Sequence, residues 1–322
     1  PLLGPVRIFG PGASQAQDLE PEYIALSPDE STAYVSCQEN NAIAVIDVAS
    51  ASATKIVGLG FKDHSLPQNS LDPSNRDDGI NFGAFDNLFG MYQPDAIAVF
   101  SVGGNQYLVT ANEGDARDYD EFSEEERVKD LDLDPTAFPN ASDLQEDEVL
   151  GRLKITTTLG DTDNDGDYDE LYAYGARSFS VWSLPDLTLL YDSGNELEML
   201  TAQLTPTFFN ANDGDPGEFD NRSDDKGPEP EGLLVEVIDG KPYAFITLER
   251  AGGGVMVYDL SIPNQPVFEN YLVTPGVDAG PEDVVFIPGD GCDGCGTIVV
   301  ANEESGTLSA FSATPPAPIP TM

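Results

Sequence analysis

Four stretches of this chain can be laid over one another, and that repetition constrains the fold more than any local pattern does. They read PEYIALSPDESTAYVSCQENNAIAVIDV from Pro21, PDAIAVFSVGGNQYLVTANEGDARDY from Pro94, PEGLLVEVIDGKPYAFITLERAGGGVMVYDL from Pro230 and PEDVVFIPGDGCDGCGTIVVANEESGTLSAF from Pro281. Each opens with proline and a carboxylate, runs as an apolar strand, turns, and runs as a second strand to a glutamate. Three of the four add a third apolar strand. The opening acid and the closing glutamate pair as Glu22 with Glu39, Asp95 with Glu113, Glu231 with Glu249 and Glu282 with Glu303, at separations of 17, 18, 18 and 21 residues. The longest spacing holds the CDGC insertion, which lengthens a hairpin and leaves the frame intact. A fifth, divergent unit, LYAYGARSFSVWSLPDLTLLYD, starts at Leu171 and carries Arg177 near its turn.

Antiparallel units recurring at roughly 40 to 50 residues predict an all-β chain built as a β-propeller of YVTN/WD40-like blades, about five of them recognisable. Six or seven blades are common in such folds, so the missing ones are expected inside the insertions or upstream of Pro1, in a seven-bladed whole. Three polar insertions, residues 60–93, 120–148 and 194–228, read as long loops that gather on one face. Residues 1–314 form the expected propeller domain, and the Pro-rich stretch 315–322 reads as a tail or linker.

Against 58 Asp and Glu stand only 14 Lys and Arg, for a net charge of -44. Nucleic acid and anionic membrane are thereby excluded as partners, since both require a positive patch. Divalent cations are the expected partners, Ca²⁺ above all, alongside a solubilising role for the charge in a salt-rich medium. No apolar run approaches the roughly 20 residues of a membrane span. Because the chain begins at Pro1 without a Met or a leader, it reads as a mature or trimmed piece of something longer. Cys292 and Cys295 are placed to close a small hairpin disulfide, and one histidine, His64, is too few for structural zinc.

The sharpest local motif is DTDNDGDYDE, in which Asp161, Asp163, Asp165, Asp167 and Asp169 alternate around Gly166. Alternate carboxylates can wrap one hard cation, and the glycine permits the tight turn. Tyr172 stands where an EF-hand has its bidentate glutamate, so the motif reads as a DxDxDG calcium loop in a β context. A weaker candidate, NDGDPGEFDNRSDD, covers residues 212–225 with irregular spacing.

Rotation about a propeller axis would collect Glu39, Glu113, Glu249 and Glu303 into a ring, with Glu22, Asp95, Glu231 and Glu282 beside it. Capping of turns is the plain structural alternative for both sets. The scarce cations fall close by: Arg76, Arg117, Arg177, Arg222, Lys226 and Arg250 sit at unit ends or in the insertions, with Asp115, Asp224 and Asp225 among them. Guanidinium groups there neutralise the acids or grip an anion. A phosphoester site built from Glu113, Arg177, Glu231, Glu249 and Arg250 with Ca²⁺ is the catalytic alternative. Serine-triad and two-zinc chemistry are unsupported by a chain with one histidine, which reads as a loop residue satisfied by Asp63.

At EYIALSPDESTAYVSCQENNAIAVIDV, YLVTANEGDARDYD, YGARSFSVWS, FDNRSDDKGPEPEGL, YAFITLERAGGGVMVYDLSIP and VVANEESGT the chain resembles the choice-of-anchor I family. These secreted proteins are related to mesenchyme-specific surface glycoproteins associated with biomineralisation. The resemblance implies a secreted, extracellular or cell-surface β-propeller with a variable C-terminal anchor, here shortened at its N-terminus. Some relatives carry an alkaline-phosphatase label, which rests on analogy of fold and metal. Three roles follow as expectations: a Ca²⁺-binding surface or matrix protein, a Ca²⁺-dependent phosphoesterase, or a subunit that assembles with copies of itself or other matrix components, Ca²⁺ bridging the acidic surfaces.

Overall fold

The computed structural model describes residues 1–290 and 294–314. The expected tail, and Cys292 of the expected disulfide, lie outside the described residues; Cys295 is disulfide-bonded. The chain is all-β, with β-branched and aromatic runs between Gly, Asn and Asp turns giving short antiparallel strands.

Sheet I holds Pro21–Leu26, Thr32–Cys37, Ala42–Asp47 and Ser52–Gly58 in antiparallel order, with Leu2–Leu3 added in parallel at its outer edge. Sheet II holds Ile97–Val102, Asn105–Asn112, Ser178–Ser183 and Thr188–Asp192. Sheet III runs Pro230–Ile238, Lys241–Leu248, Gly254–Asp259 and Val267–Val273. Sheet IV comprises Pro281–Pro288, Gly296–Asn302 and Thr307–Ala313. The opening strands of the four sheets lie against one another in this order.

Packing follows the two-residue period of strands buried on both faces. Leu108 and its cross-strand neighbour Trp182 face sheet I, where they join Tyr34, Ile43 and Val45. Val109, next to Leu108, faces sheet III, with Phe179, Val181, Ile246, Met256 and Tyr258. Phe245 and Ile246 divide in the same way, Phe245 turning to Val284, Ile298 and Val300 of sheet IV. Each large apolar side chain so buried stabilises the fold by about 1.5–3 kcal/mol, and the Phe179 and Tyr258 rings at 4.5 Å add a tilted aromatic contact.

Two expectations are overturned. The unit beginning at Leu171 is not a separate blade: Ser178–Ser183 pairs with Asn105–Asn112, from Ser178 opposite Asn112 to Ser183 opposite Tyr107, and supplies the third strand that the Pro94 unit lacked. Residues 60–93 and 120–148 are not structureless loops either. With residues 154–173 they build a nested five-stranded sheet from Phe61–Asp63, Leu88–Met91, Glu125–Arg127, Lys154–Thr156 and Leu171–Ala173. Its own core is Leu71, Leu88, Val128, Phe138, Leu150, Leu153, Ile155 and Leu171. Residues 194–228 contain the helix Glu196–Leu204 and short 3-10 turns.

Candidate functional site

Register decides which side chains are equivalent. Ile24 pairs with Val35, Ile97 with Thr110, Leu233 with Ile246 and Val284 with Val300; three residues beyond each partner stand Gln38, Glu113, Glu249 and Glu303. The first unit therefore places Gln38, not Glu39, in the predicted ring, one residue off the sequence alignment. Gln38 still serves it, donating from Nε2 to Glu113 Oε2 at 2.8 Å. Glu39 is set aside against Glu20, and burial together with that neighbour pushes its carboxyl up to about 8.

The opening acids are aimed by a break in pairing. In sheets I, III and IV the register shifts just after the leading proline, between Pro21 and Ile24, Pro230 and Leu233, and Pro281 and Asp283. A bulge there turns Glu22, Glu231 and Glu282 out of the ladder. Beneath Glu113 two backbones cross: Gly114 at φ +96° and Gly175 at φ +68° touch each other, and a Cβ on Gly175 would strike the Glu113 carbonyl. Only glycine fits such an approach.

Two carboxylate triads result, each with oxygens within 4.8 Å of one another: Asp95, Glu113 and Glu231, and Glu113, Glu229 and Glu249. The second is saturated by cations. Glu229 receives Arg222 Nε at 2.7 Å, Arg250 Nε at 3.3 Å and Lys226 Nζ at 3.5 Å. Lys226 also bonds Glu113, and Arg250 Nη2 reaches Glu249 Oε1 at 2.7 Å. Burial alone would raise the Glu229 carboxyl, but Lys226, Arg222 and Arg250 outweigh it and hold the group at about 2. Burial and the charge of Glu229 push Glu249 up to about 8. In the first triad, burial and the facing carboxylates push Asp95 to about 8 and Glu231 to about 11. Glu282 and Glu303 are exposed and belong to neither triad, although Glu282 shares a hydrogen bond with Glu231.

Glu229 was not among the expected site residues. It belongs to PEPEGL, one position ahead of the unit's proline, and its signal was a second acid in that motif. Its backbone carbonyl accepts from Glu249 N, as Gly280 O accepts from Glu303 N, so it is part of the repeat's frame.

Several expected site residues are structural instead. Arg177 is buried: Nη1 donates to Asp72 O and Glu198 Oε1, and Nη2 to Ser223 O and Asp225 O, tying two insertions to sheet II. It does not face the carboxylate pit. Arg117 pairs with Asp18 at 2.6 Å and Glu20 at 3.2 Å, and with Arg7 it sandwiches the Phe9 ring, so it anchors the N-terminal segment. Asp224 is clamped by Arg127 and Arg152 at 2.7 Å each. His64 is buried with Nδ1 on Asn69 O at 2.6 Å, a partner different from the expected Asp63. Arg222, Lys226 and Arg250 are all engaged by carboxylates. Asp115 is exposed beside Arg222, Lys226, Asp225 and Lys154 in a polar cleft of about 260 Å³.

Of the expected loop ligands Asp161, Asp163, Asp165, Asp167 and Asp169, the structure brings together Asp161, Asp163 and Asp169, and Asp165 joins no such cluster among the described residues. Asp161 Oδ1 accepts from Asn164 N at 2.7 Å and Asp165 N at 3.2 Å, while Oδ2 accepts from Gly166 N at 3.2 Å. Gly166 takes φ +104°. Asp161, Asp163 and Asp169 bring oxygens within 4.8 Å, and Asp169 also belongs to a group with Asp134 and Asp167. Backbone bonds Asp134 N to Tyr168 O and Tyr168 N to Asp132 O lace the loop to the second insertion. Residues 212–225 supply no member of any such cluster among the described residues; Asp213 pairs with Arg250 and Asp220 accepts from Ser223.

The choice-of-anchor I domain profile matches residues 4–263. Gigasin-3a of Magallana gigas is 29% identical over 192 residues, which are 52% of this chain and 66% of that protein. The mesenchyme-specific cell surface glycoprotein of Strongylocentrotus purpuratus is 29% identical over 297 residues, 82% of this chain and 38% of that protein. The chain thus spans under two thirds of the length of each of these curated relatives. Among solved structures, a functionally unknown protein from Desulfotomaculum acetoxidans DSM 771 is 10% identical with a TM-score of 0.35, covering 91% of this chain and 56% of its own. The C-terminal WD40 domain of Sif2 is 12% identical with a TM-score of 0.25, covering 93% and 71%. The profile spans most of the chain, and the chain belongs to the choice-of-anchor I family.

Proposed function

We propose that this chain is a Ca²⁺-binding β-propeller of the cell surface or extracellular space, with a structural or assembly role. The observation that carries calcium binding is the Asp161 loop: Asp161 already accepts three backbone N–H groups, and Asp161, Asp163 and Asp169 converge. An all-oxygen donor set suits a hard cation. Asp134, supplied by the second insertion, stands with Asp167 and Asp169, so an ion there ties the insertion to the hairpin. The propeller reading is supported by four sheets stacked face to face with their opening strands adjacent. The surface location is supported by the family and by the Strongylocentrotus purpuratus relative, a mesenchyme-specific cell surface glycoprotein. No helix of the described residues is long and apolar enough to cross a membrane.

Calorimetric titration with CaCl₂, paired with thermal melts in Ca²⁺ and in chelator, tests the reading. The wild type is expected to bind with measurable heat and to melt higher in Ca²⁺, and the D161N/D163N variant is expected to lose the site at this loop. Unchanged heats and melts in that variant overturn the assignment to the loop.

A further inference from the structure

We infer that Asp95, Glu113 and Glu231 form a second, enclosed site for a hard divalent cation, at the convergence of the opening strands and separate from the Asp161 loop. Their oxygens lie within 4.8 Å of one another. A cation with oxygen ligands at about 2.3–2.6 Å fits inside such a triangle.

The independent sign is Glu231. It is only 9% exposed, and its Oε2 is buried without any hydrogen-bond partner. A buried carboxyl oxygen left unsatisfied is expensive, and native folds rarely leave one without a reason. Its other contact is a hydrogen bond shared with the Glu282 side chain. Neither Asp95 nor Glu231 takes part in an ion pair among the described residues, whereas their neighbours Glu229 and Glu249 do.

Glu113 is the oriented member of the triad. Lys226 holds Oε1 and Gln38 holds Oε2, fixing the carboxylate while each oxygen keeps a lone pair free. Gly114 and Gly175 set the backbone on which it stands. With all three carboxyls ionised on an ion, they and the Lys226 ammonium sum to a formal charge of -2, which one divalent ion neutralises and a monovalent ion does not. The donors are all oxygen, with no histidine or cysteine in the group, which selects Ca²⁺ over zinc or copper. The exposed carboxylates of Glu282 and Glu303 draw cations toward the site.

Crystals of the wild type grown with MnCl₂ or TbCl₃, with diffraction measured for anomalous signal, test the site directly. A peak among Asp95, Glu113 and Glu231 is expected; a saturated Asp161 loop with no peak in the triad overturns the inference. In solution, equilibrium dialysis with CaCl₂ counts ions per chain. E231Q and, independently, D95N are expected to lose one bound ion while keeping the loop ion, and D161N/D163N is expected to do the reverse. Unchanged ion counts in both E231Q and D95N overturn the inference, while failure of the D161N/D163N result bears on the loop alone.

Discussion

Arg177 offers the sharpest test of the division between structural and binding residues. Replacing it with Met keeps much of the apolar stem and removes the guanidinium, leaving Glu198, 1% exposed, without its counter-charge, and orphaning the carbonyls of Asp72, Ser223 and Asp225. Breaking a buried pair from one side costs about 3–5 kcal/mol. With an unfolding entropy of about 2.1 cal/mol/K per residue, 322 residues give roughly 0.68 kcal/mol/K, so a loss of about 4 kcal/mol lowers Tm by about 6 °C. Differential scanning calorimetry of R177M measures this shift. The double variant R177M/E198Q is expected to recover about half of it, because the stranded charge is gone and Asn210 still donates to the side chain at that position. A drop under about 2 °C, or a double variant no better than the single one, refutes the strut and returns Arg177 to the list of binding residues.

Two further outcomes follow from buried charges. Burial first, then Asp220, pushes the Asp72 carboxyl from its ordinary 3.8 up to about 8; the folded state keeps a proton that the unfolded state has released, so this contribution is full below pH 3.8 and lost as pH rises through 8. D72N removes that dependence, and its urea-unfolding stability relative to wild type is expected to improve steadily from pH 4 to pH 8; a constant difference across this window refutes the assignment. R117M is expected to free the segment that ends at Glu20, with amide exchange at Phe9 and Gly10, which donate to Asp18, about a hundredfold faster, and protection equal to wild type refutes the anchor.

The repeats were legible because proline, bulge and closing acid recur with the register itself. The frame slipped only in the first unit, where an amide, Gln38, replaces the acid and the neighbouring Glu39 offered a false match. The nested sheet was illegible for a different reason: its strands are three or four residues long, and Leu88–Met91 finds its parallel partner Leu171–Ala173 some 80 residues later. No local periodicity records such a pairing. Arg177 and Arg117 were misplaced because a sequence gives no sign of whether an arginine points into a cleft or under it. Glu229 was hidden by its position ahead of the proline, where it read as the end of a loop.

The pairing of Gly90 with Ala173 has a kinetic meaning. Sheet II must join Asn112 to Ser178 across 65 intervening positions, a closure that is entropically slow for a free chain. The nested sheet brings together the entry points of the two halves of sheet II, Gly90 four residues before Pro94 and Ala173 five residues before Ser178. Once it has formed, the strand Ser178–Ser183 is delivered beside Asn105–Asn112 as if by a short turn. If the insertion acts as a folding splint, substitutions in its own core, such as Leu153→Ala, are expected to slow the refolding of sheet II, read by the fluorescence of Trp182; an unchanged refolding rate refutes this order of assembly.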